Sequence, residues 1–273
     1  MRMIRLTATA FVLVVVAAAA AAADGAAPTP GVDLGTFGIR SGPVRYFTLP
    51  AGGRTLVQTV RVRGGNVTRF RSIRGTFGIP FVANDGSTGG LSQDRATLVL
   101  ASARSGPRAS RFVVVDARRL AVRETITLKG IWSFDALSPD ARLLYLIQHV
   151  VQQNANANRY YVRAYDLVHG RLLKKIIFDT REKWGLMSGT PVTRATTATG
   201  RWVYTLYARP GGQPFVHALD AANRRAVCID IPWRGSQDRL WGMKLALEPG
   251  RLVVHKGKTR QAVIDTRTFV VRA

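Results

Sequence analysis

One five-residue string occurs twice in this chain, and it constrains the fold more than any other feature. Gly35-Thr36-Phe37-Gly38-Ile39 returns letter for letter as Gly75-Thr76-Phe77-Gly78-Ile79. A looser version, aromatic then small then apolar, appears at Trp132-Ser133-Phe134, Trp184-Gly185-Leu186 and Trp241-Gly242-Met243. The five aromatics are 40, 55, 52 and 57 residues apart. Periods of that length belong to repeat architectures, in which one supersecondary unit cannot bury its own faces and stacks on the next.

Two further landmarks keep the same phase. After each aromatic comes a turn with arginine and then a β-rich run: Gly53-Arg54-Thr55-Leu56-Val57, Asp94-Arg95 before Thr97-Leu98-Val99-Leu100, Asp140-Ala141-Arg142 before Leu143-Leu144-Tyr145-Leu146, Gly200-Arg201-Trp202-Val203 and Gly250-Arg251-Leu252-Val253. Turn residues between β-formers are a hairpin signal. Four units then close on an apolar run ending in aspartate, at Asp116, Asp166, Asp220 and Asp265. The two residues before each aspartate are apolar and point to opposite strand faces, so both faces are buried there. The aspartates themselves are expected to cap the following turns.

Each unit therefore reads as four strands, the last of them a stretch such as Glu124-Thr125-Ile126-Thr127-Leu128. Residues 142–153 also fit an amphipathic helix, but their counterparts are β-rich and the segment is read as strand. Four-stranded units repeated about an axis make an all-β propeller. About five blades are expected, with six as the alternative, because the first unit lacks the aspartate landmark. The terminal run Thr268-Phe269-Val270-Val271 is expected to complete that unit and fasten a closed ring.

The segment Leu137-Ser138-Pro139-Asp140-Ala141-Arg142-Leu143-Leu144-Tyr145-Leu146, followed by Val162-Arg163-Ala164-Tyr165-Asp166-Leu167, resembles the blade pattern of bacterial YVTN-type and WD-repeat propellers. The resemblance lies in repeat geometry and implies binding platforms, envelope proteins and, less often, enzymes. It carries no catalytic residue across.

The N-terminus has its own pattern. Arg2 and Arg5 precede an apolar stretch from Leu6 into an alanine run, with Ala21 and Ala23 spaced as at a cleavage site. Residues 1–23 are expected to be a signal peptide, residues 24–33 a linker and residues 34–273 one propeller domain. A retained leader would be the only membrane-spanning segment. The expected location is secreted or in the cell envelope.

Lysine and arginine number 40 against 16 acids, a formal charge of +24. Such an excess attracts anionic partners. An anionic polysaccharide or a partner protein is expected, nucleic acid is least favoured for an exported chain, and a monomer is expected. The single cysteine, Cys228, lies in an apolar run and reads as a buried inert thiol. The four histidines have no metal-ligand spacing, and no nucleophile elbow or phosphate-binding loop is present. No catalytic, cofactor-binding or metal residue is therefore assigned, and no cofactor is expected. Residues 84–90 read as a glycine-rich surface loop, and His217 as a satisfied structural group within a strand.

The expected ligand face gathers the loops between second and third strands, which carry Arg63, Arg104, Arg108, Arg159, Arg209, Lys256, Lys258 and Arg260. Phe37, Phe77, Trp132, Trp184 and Trp241 ring it, and His149 and His255 are placed in loops of that face. Asp135 lies where the chain reaches the channel, and its pairing with either histidine is the one acid–base combination to inspect. The candidate set is Trp132, Asp135, His149, Arg159, Trp184, Arg209, Trp241 and His255. The favoured function is a non-enzymatic binding or scaffold protein. The alternative is a propeller enzyme acting on a polysaccharide or lactone in the central channel.

Overall fold

A computed structural model of the chain describes residues 31–104, 108–150, 159–183, 185–209, 211–233 and 235–272. The leader and most of the linker (residues 1–30) and Trp184 lie outside the described residues. Strand accounts for 59% and helix for 3% of the structure, and the fold is a β-propeller. Five antiparallel sheets follow one another along the chain.

Blade I consists of β2 (Ile39–Ser41), β3 (Val44–Ala51), β4 (Arg54–Arg61) and β5 (Val67–Arg74). The preceding β1 (Val32–Asp33) leaves it and pairs with blade II. Blade II is β6 (Phe77–Pro80), β7 (Thr97–Ser102), β8 (Ser110–Asp116) and β9 (Ala121–Leu128). Blade III is β10 (Trp132–Leu137), β11 (Leu143–Val150), β12 (Arg159–Asp166) and β13 (Arg171–Ile177), with the short β14 (Met187–Ser188) also on β12. Blade IV is β15 (Thr190–Thr196), β16 (Trp202–Ala208), β17 (Phe215–Asp220) and β18 (Arg225–Asp230). A short 3-10 turn, Gln237–Gly242, leads into blade V: β19 (Met243–Glu248), β20 (Arg251–Lys256), β21 (Thr259–Asp265) and β22 (Val271–Arg272). Residues 143–150 are thus strand, as their counterparts required.

Blades hold together through apolar layers, because alternate side chains leave each sheet on opposite faces. Tyr46, Val57 and Ile73 of blade I meet Leu98, Leu100 and Val113 of blade II. Val99, Phe112 and Val114 turn the other way, onto Phe134, Leu144 and Leu146 of blade III. Tyr145, Tyr160 and Val162 pack on Tyr207, Phe215 and Leu219. Tyr204, Leu206 and Val216 pack on Leu252, Val254 and Ile264. Most of these side chains are fully buried, each contributing roughly 1.5–3 kcal/mol of transfer free energy. Polar staples join the layers. The Tyr46 hydroxyl donates to the Ala117 carbonyl at 3.1 Å, and the Tyr145 hydroxyl donates to the Ala221 carbonyl at 2.6 Å. Both carbonyls follow a blade-closing aspartate in the next blade.

Those aspartates cap turns. Asp116, Asp166, Asp220 and Asp265 each accept two backbone N–H groups, from the residues two and three further on, at 2.8–3.3 Å.

Three expectations are corrected. Blade I has all four strands, and its Gly53-Arg54 turn joins the second strand to the third rather than the first to the second. The first turn is Gly42-Pro43, after a strand of only three residues. Arg63 consequently lies between the third and fourth strands, on the opposite face from the one expected. The terminal strand β22 pairs with β21 of its own blade, so it fastens nothing onto blade I. Finally, the ring is not closed by a fifth apolar layer. Among the described residues no hydrogen bond, ion pair, ring contact or core cluster joins blade V to blade I.

Candidate functional site

Residues 81–91, between β6 and β7, lie across the axis rather than on the surface. Asn84 and Asp85 donate their backbone N–H groups to the Pro191 and Val192 carbonyls of blade IV, at 3.0 and 3.2 Å. The Asp85 carboxylate takes Lys244 of blade V at 2.8 Å. The Thr88 hydroxyl donates to the Gly38 carbonyl, and Phe81 meets Phe37 edge-on at 5.8 Å, both next to blade I. Gly89 abuts Phe134 of blade III so closely that a Cβ there would stand 2.7 Å from the ring. A segment touching all four other blades can only sit at the centre. The Asp85 carboxyl is held below its ordinary range: burial raises it, but hydrogen bonds from Lys244, Ser87 and Thr193 outweigh that.

Asp135 lies beside this segment, in the middle of β10. Its carboxylate is 3% exposed and pairs with the Arg194 guanidinium of β15 at 2.5 Å, itself 8% exposed. Arg194 also donates to the Asp135 carbonyl and to the Thr205 hydroxyl. A cavity of about 230 Å³ opens against this pair, lined also by Thr88, Ser92, Ser138 and Thr196. Asp135 is therefore a paired structural charge. Its expected pairing with His149 or His255 is not what the fold brings together.

His149 stands in β11, not in a loop, with its Nε2 2.8 Å from the Ser133 hydroxyl. His255 stands in β20, also not in a loop, and its Nδ1 donates to the Gly257 carbonyl at 2.9 Å. Trp132 is buried between blades II and III, its indole N–H donating to the Lys129 carbonyl. Trp241 is half exposed just ahead of blade V. Arg209 lies 4.4 Å over the Phe215 ring and 3.8 Å from Asp230. Arg159 opens β12 and lines a cleft of about 570 Å³ with Tyr161, Phe178 and Leu186. These residues share an end of the molecule by topology but do not converge on one pocket.

The layer between blades III and IV holds a buried polar group that sequence reasoning took as satisfied. His217 of β17 is 2% exposed, and its Nε2 has no hydrogen-bond partner. Burial pushes its imidazole down from 6.5 to about 4. Cys228 stands opposite, Sγ 4.0 Å from Nδ1 of His217. Burial, with Asp179 nearby, pushes the thiol up to about 12, so the cysteine is inert as a nucleophile.

A surface with uncompensated charge lies elsewhere, on blade I. Residues 31–76 contain eight arginines and one acid, Asp33. Asp33 is buried and committed to the N–H groups of Thr36, Phe37 and Gly38. Arg40, Arg61, Arg63 and Arg69 converge on a groove of about 590 Å³ with Pro43, Val44, Val62 and Thr68. The Gly42-Pro43 turn and the residue 61–67 connection place them at the same end of the sheet. None of the four makes an ion pair among the described residues, whereas Arg123, Arg181, Arg194, Arg201, Arg209 and Arg260 of the later blades all do. A smaller acid-free cleft of about 470 Å³ at the other end of blade II holds Arg104, Arg108 and Arg111 beside Phe77.

No protein-family model matches this chain, and no curated protein matches it. Solved structures do. The structure of dihydro-heme d1 dehydrogenase NirN in complex with DHE is similar with a TM-score of 0.51 and 12% identity, over 86% of this chain and 44% of that one. The β-propeller domain of Myceliophteria thermophila Cps50 (Swd1) gives 0.48 and 10% identity, over 87% and 68%. Hydrazine synthase of Kuenenia stuttgartiensis gives 0.48 and 16%, over 83% and 60%. The chain thus spans less than two thirds of the dehydrogenase and the synthase. At these identities the likeness concerns fold alone.

Proposed function

We propose that this protein is a non-enzymatic binding platform that works outside the cytoplasm, in the cell envelope or secreted, and holds an anionic polymer in the blade I groove. The observation that carries the reading is the set of four guanidinium groups, Arg40, Arg61, Arg63 and Arg69, around one groove that has no carboxylate among its described lining residues. Guanidinium groups keep their charge at any physiological pH and offer forked donors that suit phosphate, sulfate or carboxylate groups along a chain. Export rests on the leader pattern and on the repeat resemblance to YVTN-type propellers. Acidic polysaccharide is the favoured polymer for such a location. The channel-enzyme alternative finds less support, because residues 81–91 lie across the axis and Asp135 is neutralised by Arg194.

Purified protein is tested against an acidic polysaccharide, inorganic polyphosphate, single-stranded DNA and neutral dextran at low and at physiological salt. The expected result is binding to one acidic polymer at least about tenfold tighter than to the others, weakening steeply with salt. Equal affinity for every polyanion would reduce the charge to composition, and no binding would overturn the proposal.

A further inference from the structure

Among the described residues, no other blade covers the face of blade I that looks away from blade II; only the residue 35–38 segment reaches it, with Gly35 against Leu49 and Gly38 against Phe47. In β3 and β4 it carries Arg45, Phe47, Leu49, Leu56, Gln58 and Val60, and in β5 Phe70, which stands directly opposite Gln58. In blade II the corresponding face carries Leu98, Leu100, Val113 and Val115, all at most 2% exposed because blade I covers them. Here the same positions are only half-buried, and Phe70 is 70% and Val67 51% exposed. Among the described residues blade V, which would cover this face in a closed ring, makes no apolar layer with it. Large apolar side chains left in such numbers on one sheet face mark an interaction surface.

Charge identifies the occupant. Arg45, Arg54 and Arg74 belong to this same face, since Arg54 pairs in register with Arg74 and donates to the Ser72 hydroxyl at 2.7 Å. Among the described residues none of the three makes an ion pair, and residues 39–74 of blade I contain no acid. A second copy of this chain, with its formal charge of +24, would bring cations against cations. We propose that the open face of blade I docks an acidic polypeptide segment with apolar side chains at alternate positions, its apolar side covering Phe47, Leu56, Val60 and Phe70 and its carboxylates meeting Arg45, Arg54 and Arg74. This surface meets the arginine groove at one end of the sheet, where Arg40 lies in register beside Arg45, but none of the side chains named here lines that groove, so the proposal does not depend on the groove's ligand.

The probe is an extended peptide alternating valine and glutamate over about ten residues, the length of the strands it would cover. Its binding to the full chain is followed by fluorescence anisotropy, beside oligoglutamate and a valine–lysine alternation of equal length. The valine–glutamate peptide is expected to bind at least about tenfold tighter than oligoglutamate, and the lysine peptide not at all. Phe70→Glu is expected to abolish that preference while leaving the thermal midpoint unchanged, because Phe70 is exposed, and Phe70→Tyr is expected to retain it. Equal binding of oligoglutamate would show that charge alone acts and overturn the proposal. So would indifference to Phe70→Glu, or failure of all three peptides to bind, which would leave the face as a polar cap on the end blade. A dimer in sedimentation that Phe70→Glu dissociates would assign the face to a second copy instead.

Discussion

Replacing Arg194 by methionine is expected to destabilise the protein by about 3–5 kcal/mol, lowering its thermal midpoint by roughly 6–20 °C. The substitution leaves the Asp135 carboxylate, 3% exposed, without its counter-charge among inner-strand side chains. An unpaired charge in that setting loses its hydration and gains nothing in return. Removing both partners in Asp135→Leu/Arg194→Met is expected to recover most of the loss, because the pair's mutual attraction only offsets the cost of burying it. Thermal unfolding of the two single variants and the double variant checks this. If each single change costs less than about 1 kcal/mol, water reaches the pair and the axis is open rather than occupied.

The second large effect is a loss of stability in mild acid. His217 has its imidazole pushed by burial from 6.5 to about 4. The unfolded chain takes up a proton as pH falls below 6.5, while the folded protein does not until about 4. The folded state therefore loses stability across that window, by about 3 kcal/mol in all, and gains nothing from this group above it. The carboxylates held low, Asp85, Asp179 and Asp220, act in the same direction only below 3.8. Denaturant midpoints between pH 7 and 4 are expected to fall more steeply for the natural protein than for His217→Gln. Parallel curves would mean that His217 takes its proton in the folded state.

The parts of this fold legible in the sequence are those carried by local pattern. Trp132 and Phe77 mark the starts of first strands because each must enter a buried layer. Asp116, Asp166, Asp220 and Asp265 mark turns because an aspartate can satisfy two N–H groups only a few residues away. Blade I was misread by one hairpin, since a three-residue first strand and the Gly42-Pro43 turn leave almost no periodic signal, while Gly53-Arg54 imitates the turn seen in later blades. Residues 84–90 looked like a surface loop because they are small and polar. What holds them at the axis is backbone hydrogen bonding to Pro191 and Val192, which no side-chain pattern announces. Asp135 drew notice as an acid among aromatics, but its partner lies 59 residues further on in the next blade, and only the inter-blade geometry connects them. The arginine groove was missed for a related reason. Of its four members only Arg63 figures in the sequence reading, and the misplaced hairpin puts it at the other end of the sheet; Arg40, Arg61 and Arg69 come from three different strands. The signal that would have found it is the charge imbalance of residues 31–76.

That groove is the central claim, and salt dependence tests it most directly. Affinity for the acidic polymer that binds best is measured over a range of salt for the natural protein, for Arg61→Gln/Arg63→Gln, and for Arg104→Gln/Arg108→Gln. Each arginine that meets an anionic group releases counterions, so the first double variant is expected to reduce the slope of log affinity against log salt by roughly two and weaken binding at low salt. The second, in the separate cleft of blade II, is expected to leave the slope unchanged. Both pairs lie at the surface, so stability is expected to stay within about 0.5 kcal/mol. An unchanged slope in Arg61→Gln/Arg63→Gln, or an equal loss in both variants, would contradict the account.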